Sequence, residues 1–225
     1  MPTSGTTSFT MSFNDIMEEA FARAGIEPRT GFHLRTMRTS LNLMLIEWVS
    51  RGMNLWTVDQ QVLNLVAGTA TYTLPSDTVD VLDAVIRTNA GNVQLQFDQF
   101  IPRMSFTTYL ALPSKQTLGR PIEYWVNRAQ AGPTVTFWQT PDATQPYAFV
   151  YFRLRQMQDV GTVDNTQDVP TRFLPALTAG LAYYVSLKLA PERVEMLKAM
   201  YDEAWQNAAD EDRERATFRW VPRLS

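Results

Sequence analysis

Few side chains in this 225-residue chain are equipped for chemistry. It has a single histidine, His33, and no cysteine. Thiolate nucleophiles and disulfides are therefore excluded, and a zinc site, which needs several His or Cys ligands, has almost nothing to draw on. His33 stands where a helix should begin, two residues before Arg35, and reads as a surface or capping residue. Carboxylates are the remaining route to catalysis, because glycoside hydrolysis needs only two of them. The candidates are Asp77, Asp80, Asp83, Asp98, Glu123 and Asp142. Most fall in turn-like stretches, where an Asp hydrogen-bonds its own backbone. Gly119-Arg120-Pro121 lacks both the spacing and the Lys-Ser/Thr pair of a phosphate loop. The expectation is a protein that is not an enzyme and has no catalytic residue, no metal and no cofactor.

Binding is better served than catalysis. The middle of the chain carries Trp56, Tyr72, Phe97, Tyr124, Trp125, Phe137, Trp138, Tyr147, Tyr151 and Phe152. Exposed, they would stack on sugars or bases; buried, they would fill a sheet core, and strand alternation turns about half of them inward. Arg153 and Arg155 on one strand read as edge-strand charges that block aggregation. At the C-terminus, Thr217-Phe218-Arg219-Trp220-Val221-Pro222-Arg223-Leu224 interleaves aromatics with arginines. Such a segment can order on a partner with Trp and Arg as anchors, or lie as a strap on its own helical lobe.

The bulk properties narrow the class. Hydrophobic residues at 45% and charged residues at 19% suit a folded globule. A net charge of −3 argues against a general nucleic-acid binder, which shows a basic domain. Residues 1–10 have neither the basic nor the apolar region of a signal peptide. No apolar run approaches the roughly 20 residues that span a bilayer, so no membrane partner is expected.

The elements that must carry these residues come in the order helical, strand-like, helical. Ser12, with Asp15 three residues on, caps a helix whose apolar stripe is Phe13, Ile16, Met17, Ala20, Phe21 and Ala24, with Gly25 as its stop. A second helix runs from about Gly31 to Arg51 on the stripe Leu34, Met37, Leu41, Met44, Leu45, Trp48 and Val49. Strand patterns follow: Leu55–Val58, Gln60–Val66, Val79–Ile86 ending at a turn through Asn89-Ala90-Gly91-Asn92, and Val93, Leu95 and Phe97 as a half-buried strand. A short helix fits near Arg103–Tyr109, and further strands fit Ile122–Arg128, Val135–Gln139 and Tyr147–Gln156. After a linker, a third helix from about Pro170 to Leu189 is apolar nearly all round, which makes it a buried helix. A fourth helix starts at Pro191 and ends in the charged run 210–215. The expected fold is α+β: a four-helix lobe built from both ends of the chain, its termini together, with an inserted antiparallel β-sandwich or barrel-like lobe. The expected boundaries are 1–54 and 161–215 for the helical lobe, 55–160 for the β domain and 216–225 for an extended tail.

Several motifs in this order resemble a known family. They are Leu41-Asn42-Leu43 leading to Trp48 and Gly52-Met53-Asn54-Leu55-Trp56; Gly68-Thr69 with Tyr72-Thr73-Leu74-Pro75; Val79-Asp80-Val81-Leu82-Asp83; Lys115 with Gly119-Arg120-Pro121; and Asp168-Val169-Pro170 with Arg172-Phe173. Over residues 13–221 the chain looks like the head–tail adaptors of tailed bacteriophages. The resemblance implies a structural protein of the virion, assembled in the host cytoplasm as a dodecameric ring beneath the portal protein. Its lumen continues the DNA channel without sequence-specific contacts, and its lower face meets the next tail component, a nozzle or tail-tube protein. It also implies that Phe218, Arg219, Trp220 and Arg223 reach into the portal and that the β insertion forms the lower or outer surface. A closed ring needs two different complementary faces on each copy. Arg35, Arg38 and Arg51 on one helix, opposite Asp202, Glu203 and Glu211 on another, are the expected inter-subunit pairs. The alternative is a carbohydrate-binding β module with a helical assembly lobe.

Overall fold

The computed structural model describes residues 5, 9, 11–27, 31–51, 55–129, 131–159, 161, 166 and 168–212. In chain order the elements are α1 (Phe13–Ala24), α2 (Gly31–Arg51), β1 (Val58–Asn64), β2 (Thr71–Thr73), β3 (Thr78–Thr88), β4 (Phe97–Phe100), α3 (Phe106–Ala111), β5 (Leu118–Gly119), β6 (Glu123–Asn127), β7 (Thr134–Trp138), β8 (Thr140–Pro141), β9 (Tyr147–Arg155), α4 (Leu174–Leu189) and α5 (Val194–Glu211). Single 3-10 turns lie at Leu55–Thr57, Thr171–Phe173 and Pro191–Arg193. The fold is α+β and divides into two compact units, one of Met1–Trp56 with Met157–Ser225 and one of Thr57–Gln156.

In the helical unit, local chemistry sets the start and stop of α1. The Ser12 hydroxyl accepts from the Asp15 backbone N–H, and the Asp15 carboxylate accepts from the Ser12 N–H, so two otherwise orphaned donors are satisfied reciprocally. Gly25 ends the helix at φ 69°, a left-handed conformation in which a Cβ would be strained. The apolar stripe of α1 is buried as its spacing requires. The third expected helix begins later than Pro170: a 3-10 turn precedes α4, whose first turn holds Pro175 where no backbone N–H is needed. Packed against α1, α2 and α5, α4 is buried on several sides. That is why it has no polar face. Gly180 lets α4 approach closely: a Cβ there would lie 2.5 Å from Met44 Sδ and 2.8 Å from Tyr201 Cε2. At the centre, the Trp48 indole N–H donates to the Tyr201 hydroxyl at 2.7 Å, and Trp48, Phe173 and Trp205 pack ring against ring. Each fully buried large apolar side chain contributes roughly 1.5–3 kcal/mol relative to exposure.

In the β unit, β1, β9, β3 and β4 form a four-stranded antiparallel sheet, β2, β7 and β6 a three-stranded one, and β5 and β8 a short parallel pair. The two larger sheets face each other through aromatic side chains. Tyr124 of β6 and Phe137 of β7 meet Phe149 of β9 edge-on, with centroids 5.3 and 4.9 Å apart. Both sheets are open, so the barrel-like version of the expected fold does not form.

Three local expectations are corrected. Leu55–Thr57 is a 3-10 turn rather than strand, and one continuous strand, β1, follows it. Val93 and Leu95 lie in a turn, and β4 starts only at Phe97; these three side chains are 83, 64 and 65% exposed. β4 is the edge strand and all four of its residues are exposed, so the alternation there has no buried face. Arg153 is not an edge charge. Its strand, β9, lies between β1 and β3, and its side chain is buried.

Candidate assembly surface

The carboxylates that were candidates for catalysis are mostly occupied in structural pairs. Arg153 Nε donates to Asp59 Oδ1 at 2.8 Å and its Nη1 to Thr78 Oγ1 at 2.9 Å, while Asp77 accepts from both terminal nitrogens. Burial raises the Asp59 pKa, but hydrogen bonds from Arg153 and Gln61 and the Arg153 charge outweigh it and hold the carboxyl below its usual range. Asp80 pairs with Arg103 and Arg128. Asp98 forms a two-pronged pair with Arg87 across the β3–β4 ladder, and the Arg87 hydrogen bond lowers its pKa. Asp142 accepts from Thr144 and the Tyr147 hydroxyl. Asp59 and Asp98, held below the usual carboxyl range by their arginines, are poorly suited to deliver a proton near neutral pH. Among the described residues no group of three or more His, Asp or Glu is arranged to hold a metal ion. His33 is half-buried, with its ring 5.7 Å from that of Phe21.

The aromatic set of the β unit divides. Tyr124, Phe137, Tyr147 and Tyr151 are buried, and burial carries the Tyr124 pKa up to about 12. Tyr109 stacks on Trp125 at 4.8 Å and 14°, which covers one indole face. Phe97 and Phe152 are exposed. The outer face of the four-stranded sheet shows an apolar row, Val62, Val150, Val85 and Phe100, aligned across the four strands. Its ends, Val62 and Phe100, are open to solvent.

On the helical unit, the expected inter-subunit residues fall into two sets. Arg35 and Arg38 are exposed on α2 and take part in no ion pair among the described residues. Asp202, Glu203 and Glu211 are exposed on α5. Arg51 differs: it pairs with Glu47 of its own helix, and its guanidinium lies 5.0 Å from the Tyr201 ring and 5.1 Å from that of Trp205. Burial works against its charge, but Glu47, Tyr201 and Asp202 outweigh that effect. Phe218, Arg219, Trp220 and Arg223 lie outside the described residues.

Two apolar side chains on α2, Leu43 and Ile46, lie off its buried stripe. They are 54 and 56% exposed, on the same helix as Arg35 and Arg38. Met196 and Met200, four residues apart on α5, are likewise exposed near Asp202 and Glu203. The available signal was position: both α2 residues are apolar yet off the buried stripe. Contiguous exposed apolar side chains edged by charge mark interaction surfaces.

On α2 and on α5, exposed charged side chains thus stand beside exposed apolar ones. The chain matches the model of the SU10 adaptor protein family over residues 11–223 and belongs to that family, a family of phage head–tail adaptors. No curated protein matches it. The family assigns it a structural adaptor role in the virion, in association with head and tail components. Among the described residues no helix is long and apolar enough to cross a membrane.

Proposed function

We propose that this chain forms the ring connecting head to tail: a dodecamer beneath the portal protein, with genomic DNA passing through its lumen and a nozzle or tail-tube protein below. The observation that carries the reading is the family match, which runs over nearly the whole chain, supported by the exposed cations Arg35 and Arg38 of α2 and the exposed acids of α5. The helical segments 1–54 and 161–215 act as a four-helix lobe, 55–160 as an inserted β domain facing outward or down, and 216–225 as the tail that engages the portal through Phe218, Arg219, Trp220 and Arg223. Between neighbours, Arg35, Arg38 and Arg51 face Asp202, Glu203 and Glu211. Arg51 is already held by Glu47, so the electrostatic contrast rests chiefly on Arg35 and Arg38. Leu43 and Ile46 supply the apolar contact that a stable heterologous interface requires. Acidic walls would let DNA slide, because they offer few phosphate contacts. The carbohydrate-module alternative has less support, since four of its ten aromatics are buried and Trp125 is stacked by Tyr109.

The deciding experiment is native mass spectrometry of the chain with the portal protein of the same genome. Ring stoichiometry that is lost on deleting 216–225 supports both the adaptor reading and its tail anchor. A chain that ignores the portal overturns them. Charge reversal by Arg38→Glu is expected to weaken ring assembly at low salt by about tenfold or more, since like charges then face each other. Unchanged assembly would remove Arg38 from the interface.

A further inference from the structure

A groove of about 1010 Å³ lies along α1, walled on the other side by the Thr171–Phe173 turn and the first turns of α4. Its apolar lining residues are Phe9, Met11, Ala22, Leu174 and Pro175. Its α1 wall carries Asp15, Glu18 and Glu19. Glu19 is neutralised by Arg23 one turn on, but Asp15 and Glu18 have no cation among the described residues. An acidic wall beside an apolar lining suits a basic, aromatic peptide.

The chain supplies one, and supplies it at the groove's edge. Arg172 lines the groove and pairs with Asp212, the last described residue, so residues 213–225 set out from that wall. The segment holds Arg213, Arg215, Arg219 and Arg223 against the single acid Glu214, with Phe218, Trp220, Val221 and Leu224 as apolar partners. From Asp212 to Trp220 an extended chain reaches roughly 25 Å. The α1 wall from Asp15 to Ala22 is only about 10 Å long. Reach, charge and hydrophobicity therefore all match.

We infer that this groove seats the chain's own C-terminal segment, residues 213–225, in the free protein, with its arginines against Asp15 and Glu18 and its aromatics on the apolar lining. The seat is a property of the isolated chain and goes beyond the adaptor reading: it says where the segment waits, not where it ends in the virion. Because a linked ligand is present at high effective concentration, modest contacts suffice to hold it, and a partner that binds the same residues more tightly still displaces it.

The native chain has no cysteine, so a disulfide can report the docking without background. Ala22→Cys lies on the groove and Val221→Cys in the segment; Thr39→Cys, exposed on α2 and outside the groove, is the control. At low protein concentration under mild oxidation, the Ala22→Cys/Val221→Cys chain is expected to close an intrachain disulfide about tenfold faster than the Thr39→Cys/Val221→Cys chain. Adding Glu18→Lys, or raising the salt concentration, should slow the first pair and spare the second. Circular dichroism of each variant confirms that the helices remain. Equal rates for the two pairs would overturn the inference. So would bonds that form only between chains, which would put a neighbour's segment in the groove. No portal protein enters the experiment, so its outcome is separate from the adaptor test.

Discussion

Arg153 offers a demanding test of how the β unit is held together. Its side chain is 7% exposed and binds Asp59, Asp77 and Thr78, whereas the two carboxylates are 34 and 46% exposed. Arg153→Met keeps most of the volume with a flexible apolar side chain, so the cavity contribution is small. What the substitution removes is the shared cation. Removing one partner of a buried pair costs about 3–5 kcal/mol; because the two acids regain water, the expected loss lies at the low end, about 3 kcal/mol at pH 7. The pH dependence follows from Asp59, whose folded pKa lies below its ordinary value. Stability linked to its ionised form is fully present above the unfolded carboxyl pKa of about 3.9 and is lost as the pH falls through the folded value. Acidification from pH 5 to pH 3 should therefore destabilise the native protein more than the variant, and the gap between them should narrow. Urea unfolding at pH 7 and pH 3 measures that gap. Hydrogen exchange of peptides covering β1 and β9 keeps the β unit distinct from the helical one. A gap below about 1 kcal/mol at pH 7, the range of a surface pair, or one that does not narrow in acid, would refute the account.

Gly180→Ala should destabilise the helical unit by about 1–2 kcal/mol: better helix propensity recovers up to about 1 kcal/mol, but overpacking costs about 1–3. Met44 can swing aside, whereas the Tyr201 ring is held by Trp48, so thermal unfolding should show a lowered midpoint; a raised one would mean that the α4–α5 contact yields easily. Burial carries both Tyr124 and Tyr201 up to about 12. In ultraviolet titration these two hydroxyls should stay protonated at pH 11 while exposed tyrosines ionise. Their raised values also mean that stability declines as the pH rises from the unfolded value near 10 toward 12. Complete tyrosine ionisation at pH 11 with the fold intact would contradict the buried placement.

How much was legible beforehand depended on the range over which each feature is decided. The cap of α1, its stripe and its left-handed stop are written within a few residues of one another, and the structure contains all three. The apolar circumference of α4 announced a buried helix because a side chain's partners need not be known for their number to show. Arg153 could not be read the same way. Strand alternation put it on the face of Phe149 and Tyr151, but its partners Asp59 and Asp77 lie 94 and 76 residues away. Only the β1–β9–β3 pairing brings them together, and without them a charge on a strand looks like edge protection. Leu43 and Ile46 are a local case: both fall off the buried stripe of α2, and both are exposed. Sequence by itself determined the four long helices, the mixed α+β class and the absence of thiol chemistry, because these follow from local spacing and composition. Tertiary structure alone decided which charges are spent inside the chain and where a groove opens between α1 and the start of α4, because each depends on which distant surfaces meet.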